Sequence, residues 1–101
     1  MANPVTIGRS EEVPEGAGRP FEAAGRKIAV FRVGGALHAM DGVCPHRGGP
    51  LGEATIENGI ATCPWHGWRF EVRTGKCVNL PGGAQTCFPV RDEGGAIVVE
   101  V

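Results

Sequence analysis

Two short segments that contain cysteine and histidine constrain this chain more than any other feature. The first carries Cys44 and His46 with one residue between them, and the second carries Cys63 and His66 with two residues between them. Sixteen residues separate His46 from Cys63, so the pattern is C-x-H-x16-C-x2-H. Two thiolates and two imidazoles supplied by two loops are a complete set of ligands for a metal site. We therefore expect the two loops to meet at one end of the fold.

Two kinds of metal centre use this set of donors. A single zinc ion accepts two cysteines and two histidines, but its usual sequence arrangement groups the cysteines first and the histidines second. A two-iron, two-sulfur cluster with cysteines on one iron and histidines on the other suits loops that each supply one of each. The alternation therefore favours the iron–sulfur cluster, and a zinc site stays open as the alternative.

The sequence resembles a small soluble Rieske ferredoxin, the ferredoxin component of a multicomponent oxygenase or a related small Rieske protein. The likeness rests on both cysteine–histidine pairs, the proline after each cysteine, the glycines beside each histidine and the spacing between the loops. It implies one Rieske-type 2Fe-2S cluster held by Cys44, His46, Cys63 and His66. It also implies that the Leu-Pro-Gly-Gly stretch at residues 80–83 covers the cluster.

The distribution of apolar residues predicts an all-β fold. Glycine (17 residues) and proline (8) make up about a quarter of the 101 residues, yet short alternating apolar stretches recur along the chain. Residues 27–33 are apolar on both faces, which predicts a central strand. Gly34-Gly35 and Asn58-Gly59 predict hairpin turns. The predicted strands are residues 5–7, 19–23, 27–33, 36–40, 54–57, 60–62, 69–73, 87–91 and 96–101.

These strands suggest two or three small antiparallel sheets in a single domain, residues 1–101. No stretch has convincing helical periodicity. The Rieske resemblance implies further that a cluster-binding subdomain, approximately residues 42–82, is inserted in a larger base domain.

Charge and hydrophobicity limit the partners and the compartment. A net charge of −1 gives no electrostatic reason to expect binding to nucleic acid or to an anionic membrane. The chain has neither a secretory signal pattern nor an apolar run long enough to span a bilayer. We expect a cytoplasmic protein that has no membrane partner and binds other proteins.

The number of histidines argues against a catalytic site. A mononuclear oxygenase iron needs two histidines and a carboxylate, and only His38 remains once the cluster takes His46 and His66. We expect His38 to be a surface residue or a hydrogen-bonded structural residue. The chain is therefore predicted to be an electron-transfer component with no catalytic site of its own.

The resemblance implies a one-electron carrier that passes electrons from a reductase, expected to be flavin-dependent, to a terminal oxygenase. These partners would dock at the tip formed by His46 and His66. One alternative is a permanently bound small subunit of a reductase such as nitrite reductase. Another is a zinc-stabilised interaction module.

The same resemblance predicts a low reduction potential. High-potential Rieske proteins carry hydroxyl donors at the positions of Trp68 and Phe70, and those of the cytochrome bc complexes carry a disulfide at the positions of Gly49 and Trp65. None of these residues can supply the hydroxyl or the disulfide. The two other cysteines, 77 and 87, are expected to be free thiols, with a disulfide between them as the alternative.

Overall fold

The computed structural model describes residues 4–43, 51–64, 67–79 and 85–101. These residues form ten strands and two 3-10 turns, Ser10–Glu12 and Leu51–Glu53, and no α-helix. The prediction of an all-β fold is confirmed. The strands are β1 (Pro4–Arg9), β2 (Gly18–Ala23), β3 (Arg26–Val33), β4 (Ala36–Asp41), β5 (Thr55–Glu57), β6 (Ile60–Thr62), β7 (Arg69–Glu71), β8 (Cys87–Phe88), β9 (Val90–Glu93) and β10 (Ala96–Glu100).

The strands form three antiparallel sheets, which agrees with the prediction of two or three. Sheet I has the order β1-β10-β9, sheet II the order β2-β3-β4-β8, and sheet III the order β5-β6-β7. Pro20 lies within β2, where its missing N–H is tolerated because β2 is an edge strand.

The central strand β3 contributes to two separate hydrophobic cores. Ile28 and Val30 belong to the lower core, which also contains Ile97 and Val99 of sheet I. The upper core takes alternate residues of sheet II and packs them against sheet III and the segments beside it. Its buried members are Ala29, Phe31, Met40, Leu51, Ala54, Ala61, Cys63, Phe70, Val72 and Cys77. The period of two along a strand explains why one apolar run serves both cores.

Two predicted hairpin turns are present. Asn58 and Gly59, with φ of 53° and 76°, connect β5 to β6, and Gly34 and Gly35, with φ of 61° and 82°, connect β3 to β4. Positive φ at both central positions is the requirement of a type I′ turn, which asparagine and glycine meet at low cost.

Two predicted strands are wrong in detail. The strand expected over residues 69–73 ends at Glu71, although Val72 is buried as expected. The strand expected over residues 87–91 is divided at Pro89, because β8 pairs with β4 of sheet II whereas β9 pairs with β10 of sheet I. Proline has no N–H for a ladder, so the chain leaves one sheet there and enters another. Among the described residues, no helix is long and apolar enough to cross a membrane.

Candidate metal centre

One of the four predicted ligands lies in the described part of the chain. Cys63 follows β6 directly and is 2% exposed, within the upper core. Cys44, His46 and His66 lie outside the described residues, as do residues 80–83 of the predicted covering loop. Within residues 4–43, 51–64, 67–79 and 85–101, no group of three or more potential metal ligands occurs. The predicted ligand set of Cys44, His46, Cys63 and His66 therefore stays a prediction.

The backbone closes the second ligand segment at its base. The Cys63 N–H donates to the carbonyl of Trp68 at 2.7 Å, which brings the two ends of the segment together. The Asn79 side chain supports the same base: its Oδ1 accepts from the Arg69 N–H at 3.0 Å, and its Nδ2 donates to the Gly67 carbonyl at 3.1 Å. Hydrogen bonds thus hold the chain at Cys63 and again at residues 67–69.

The first ligand segment is closed in a similar way. The Leu51 N–H donates to the Gly42 carbonyl at 3.0 Å, so the chain returns to its starting point after residues 44–50. The Gly42 N–H donates in turn to the Lys27 carbonyl at 2.9 Å, which fixes this point to β3. Gly52 rests on the edge strand, since a Cβ placed on it would lie 2.7 Å from the Pro20 Cα. Leu51 itself is fully buried in the upper core, the core that also contains Cys63.

The donor chemistry at Cys63 fits a buried metal-bound thiolate. The side chain is buried directly after strand β6, among the apolar residues of the upper core. Cys77 and Cys87 are free thiols, as the main prediction for this pair expected, and they form no disulfide with each other. Cys77 is buried and its Sγ donates to the Asn79 Oδ1 at 3.5 Å, whereas Cys87 is exposed on β8.

Two aromatic side chains lie beside the second ligand segment. Phe70 is fully buried in the upper core, and the half-buried Trp68 packs against that core, with 6.3 Å between their ring centroids. Both rings are therefore in or against the hydrophobic core that contains Cys63. Neither side chain carries a hydroxyl.

His38 differs from its prediction. It lies half-buried on β4, and its Nε2 is buried with no hydrogen-bond partner among the described residues, so it is neither a surface residue nor a satisfied structural one. Burial, assisted by the nearby positive charge of Arg73, lowers the pKa of His38 below its usual value of 6.5.

Residues 3–91 match the protein family described as the Rieske [2Fe-2S] domain. The chain therefore belongs to the Rieske [2Fe-2S] family, and it carries one Rieske-type 2Fe-2S cluster. This membership agrees with three small antiparallel sheets and two loops that are each closed at the base.

A curated relative and two solved structures show the same likeness over almost the whole chain. The ferredoxin component of the naphthalene 1,2-dioxygenase system of Pseudomonas aeruginosa is 29% identical over 92 residues, covering 89% of this chain and 88% of that protein. The ferredoxin of carbazole 1,9a-dioxygenase from Nocardioides aromaticivorans has a TM-score of 0.87 at 27% identity, covering 96% of both chains.

The other solved structure supports the fold alone. A protein described as an NADH-dependent nitrite reductase small subunit from Mycobacterium tuberculosis has a TM-score of 0.90 at 21% identity, covering all of this chain and 96% of that one. The first curated relatives are much longer than this chain, which covers 16% and 13% of their lengths.

Two side chains that form hydrogen bonds at the ends of the ligand segments were not predicted from the sequence. Asn79 and Gln85 make the side-chain contacts at the bases of the ligand segments, yet neither belongs to a ligand motif. Their position in the sequence could have identified them, because one amide residue precedes the predicted covering loop and the other follows it.

Proposed function

We propose that this protein is a one-electron carrier that passes electrons from a reductase to a terminal oxygenase. The family match over residues 3–91 is the observation that carries this proposal. Relatives of similar length are ferredoxin components of the naphthalene and carbazole dioxygenase systems, which supports an oxygenase as the electron acceptor. The reductase that supplies the electron is expected to be flavin-dependent.

Cys44 and Cys63 would bind one iron as thiolates, and His46 and His66 would bind the other as neutral imidazoles. A bound Rieske cluster takes up and releases one electron. In this chain, Leu51 and Phe70 belong to the same buried core as Cys63 and Trp68 packs against it, which supports an apolar environment for the thiolate. The histidines would form the exposed tip at which the partners dock, because electrons transfer best where a redox centre approaches the surface. Such an interface is expected to be small and transient.

The protein is proposed to have no catalytic site of its own. One histidine remains outside the proposed ligand set, which is too few for a two-histidine, one-carboxylate iron site. Residues 42–82 are proposed as the cluster-binding subdomain within the single domain. Sheet III, which runs from β5 to β7, lies inside this range and supports the assignment. The cytoplasmic location stays a prediction.

The alternative is a permanent electron-transfer subunit of a reductase. A likeness in fold to a nitrite reductase small subunit supports this alternative. Size-exclusion chromatography of an extract from the native host distinguishes the two arrangements. A free carrier elutes near the 10.6 kDa mass of the chain, whereas a subunit elutes with its larger partner.

The ligand assignment is tested by iron and sulfide analysis of single variants. The parent protein is expected to hold about two irons and two acid-labile sulfides per chain. Cys63→Ala should lose both and the visible absorption, because three ligands cannot retain the cluster. Cys87→Ala is the matched control, since it removes an exposed free thiol and should leave the metal content unchanged.

His46→Ala and His66→Ala complete the series with the same expected loss. A colourless parent that contains one zinc and no iron would overturn the proposal in favour of a zinc-stabilised module. Full iron and sulfide in the Cys63→Ala variant would overturn the ligand set.

A further inference from the structure

Gln85 is a buried amide that holds the entry to the first ligand segment. Its Nε2 donates to the Asp41 carbonyl at 2.9 Å and to the Val43 carbonyl at 2.5 Å. Val43 immediately precedes Cys44 in the sequence. One side chain, contributed by a residue more than forty positions later, thus satisfies two carbonyls at the start of the loop.

Gln85 is itself held firmly in place. Its residue is 9% exposed, and its backbone N–H donates to the Gly75 carbonyl at 2.6 Å. Gly75 approaches so closely that a Cβ there would lie 2.1 Å from the Gln85 carbonyl oxygen. The next residue, Thr86, accepts from the Asp41 N–H at 2.8 Å. The amide therefore acts from a rigid backbone.

Asn79 makes the corresponding contacts at the second ligand segment. Its amide bonds the Gly67 carbonyl and the Arg69 N–H, which lie on either side of Trp68, the residue whose carbonyl closes the loop at Cys63. Asn79 is exposed, so water competes for these bonds, and each is expected to contribute less than the bonds of Gln85.

The two amides lie on one short stretch of chain, separated by residues 80–84. We infer that Asn79 and Gln85 are positioning residues that hold the two ligand loops in register, Gln85 the first and Asn79 the second. This inference rests on the proposed ligand set, in which each loop supplies one cysteine and one histidine. Because both irons then need both loops, any separation of the loops exposes the cluster to loss.

The physical argument is one of preorganisation. Ligands hold a cluster best when the groups behind them fix their orientation, as hydrogen bonds behind metal ligands do in other sites. The buried Gln85 amide donates to the carbonyls of Asp41 and Val43, the part of the chain that leads into the first ligand segment. Removing this donor loses two hydrogen bonds and leaves a space at a buried polar position, so the chain that leads into the segment is held less firmly.

The test compares the rates of cluster loss in the presence of an iron chelator, followed by visible absorbance. Gln85→Met keeps the length of the side chain and removes both donors, and it should lose the cluster about tenfold faster, equivalent to about 1.4 kcal/mol. Asn79→Ala should be faster by about threefold. Visible circular dichroism of both variants should differ from the parent, because the ligands are less well oriented.

Two control variants separate positioning from general stability. Val99→Ala removes methyl groups from the lower core, remote from both ligand segments, and should lower the unfolding temperature without changing the cluster spectrum. Val78→Ala replaces an exposed neighbour of Asn79 and should match the parent in both readouts.

If Gln85→Met and Asn79→Ala lose the cluster no faster than Val99→Ala and keep the parent's circular dichroism, the inference is wrong while the proposed function stands. If Gln85→Met does not fold, Asn79→Ala decides the question alone, because its exposed position tolerates substitution. A parent without iron and sulfide would overturn the ligand set and this inference together.

Discussion

Phe70 is the residue at which a single oxygen atom is expected to change the electron affinity of the cluster. Rieske proteins of high potential carry a hydroxyl donor at the matching position, and here the fully buried ring carries none. A hydrogen bond to a cluster sulfur favours the reduced form, which is the more negative one. The absence of this donor supports the predicted low potential.

Phe70→Tyr should therefore raise the midpoint potential by roughly 40 to 90 mV, which corresponds to a differential effect of about 1 to 2 kcal/mol. The measurement is a redox titration of the parent and the variant with the cluster intact. Phe88→Tyr is the control, since Phe88 packs against the lower core and should leave the potential unchanged. An unchanged potential in Phe70→Tyr, or a parent above about +100 mV, would contradict the low-potential assignment.

Glu15 is a residue whose charge stabilises a distant turn. Its carboxylate accepts from the N–H groups of Gly34 and Gly35, each at 2.7 Å. These two bonds, with a contribution from Arg32, hold the pKa of Glu15 below its usual value of 4.5. A lowered pKa means that the stabilisation is present above the unfolded pKa and is lost as the pH falls through the folded value.

Glu15→Gln should lower the free energy of unfolding at pH 7, and its difference from the parent should shrink as the pH falls below about 4.5. Urea denaturation at pH 7 and pH 4 measures this difference. Glu57→Gln, an exposed substitution on β5, should match the parent at both values. A difference for Glu15→Gln that stays constant or grows on acidification would contradict the argument.

The turn at residues 74–76 holds Gln85 in place through a backbone hydrogen bond. Gly75 has a φ of 78° and accepts the Gln85 N–H through its carbonyl, so the turn supports the residue that bonds the first ligand segment. Two separate restrictions apply at this glycine. The positive φ disfavours any side chain, and the Gln85 carbonyl occupies the space that a Cβ would need.

Gly75→Ala should destabilise the protein by more than 2 kcal/mol, because strain from φ is added to a steric clash. Gly25→Ala isolates the first of these effects, since Gly25 has a φ of 77° and nothing within 4 Å of its Cβ position. This control should cost only about 1 kcal/mol. Equal losses in chemical denaturation would show that the clash at Gly75 is relieved and that the close approach has no energetic importance.

At the scale of the whole molecule, the two cores differ in what completes them. The lower core is closed by four-stranded sheet II and three-stranded sheet I. The upper core is closed by sheet III, whose strands have three residues each, and by buried residues beside it that include Leu51 and Cys63. A sheet this small has little stability of its own, so the metal site is expected to stabilise it.

Removal of the cluster with a chelator should speed amide hydrogen exchange in β6 and β7 while β3 and β10 keep most of their protection. Hydrogen exchange followed by mass spectrometry measures both regions in one sample. The four central residues of β3 and most of β10 are buried in the cores, which provides the internal reference. Loss of protection in all strands at once would show that the two cores unfold as a single unit.

Much of this fold is determined by local sequence. The alternation within residues 27–33, the Gly34-Gly35 and Asn58-Gly59 turns and the spacing of the cysteines and histidines each predict their structure or their chemistry without knowledge of the rest. The burial of Cys63 at the end of β6 agrees with its predicted role. The predictions of strands and turns succeed because strand periodicity and turn conformation depend on neighbouring residues, whereas the assignment of the four ligands stays a prediction.

Tertiary structure decided what depends on contacts between distant residues. The chain passes from sheet II to sheet I at Pro89 because β8 pairs with β4 and β9 pairs with β10. The side chains of Asn79 and Gln85 reach the ends of the ligand segments only because the fold brings these residues together. The Gln85 amide reaches Asp41 and Val43 across more than forty residues of sequence. No local pattern encodes such a bond, since its energy depends on burial and geometry that exist only once the chain has folded.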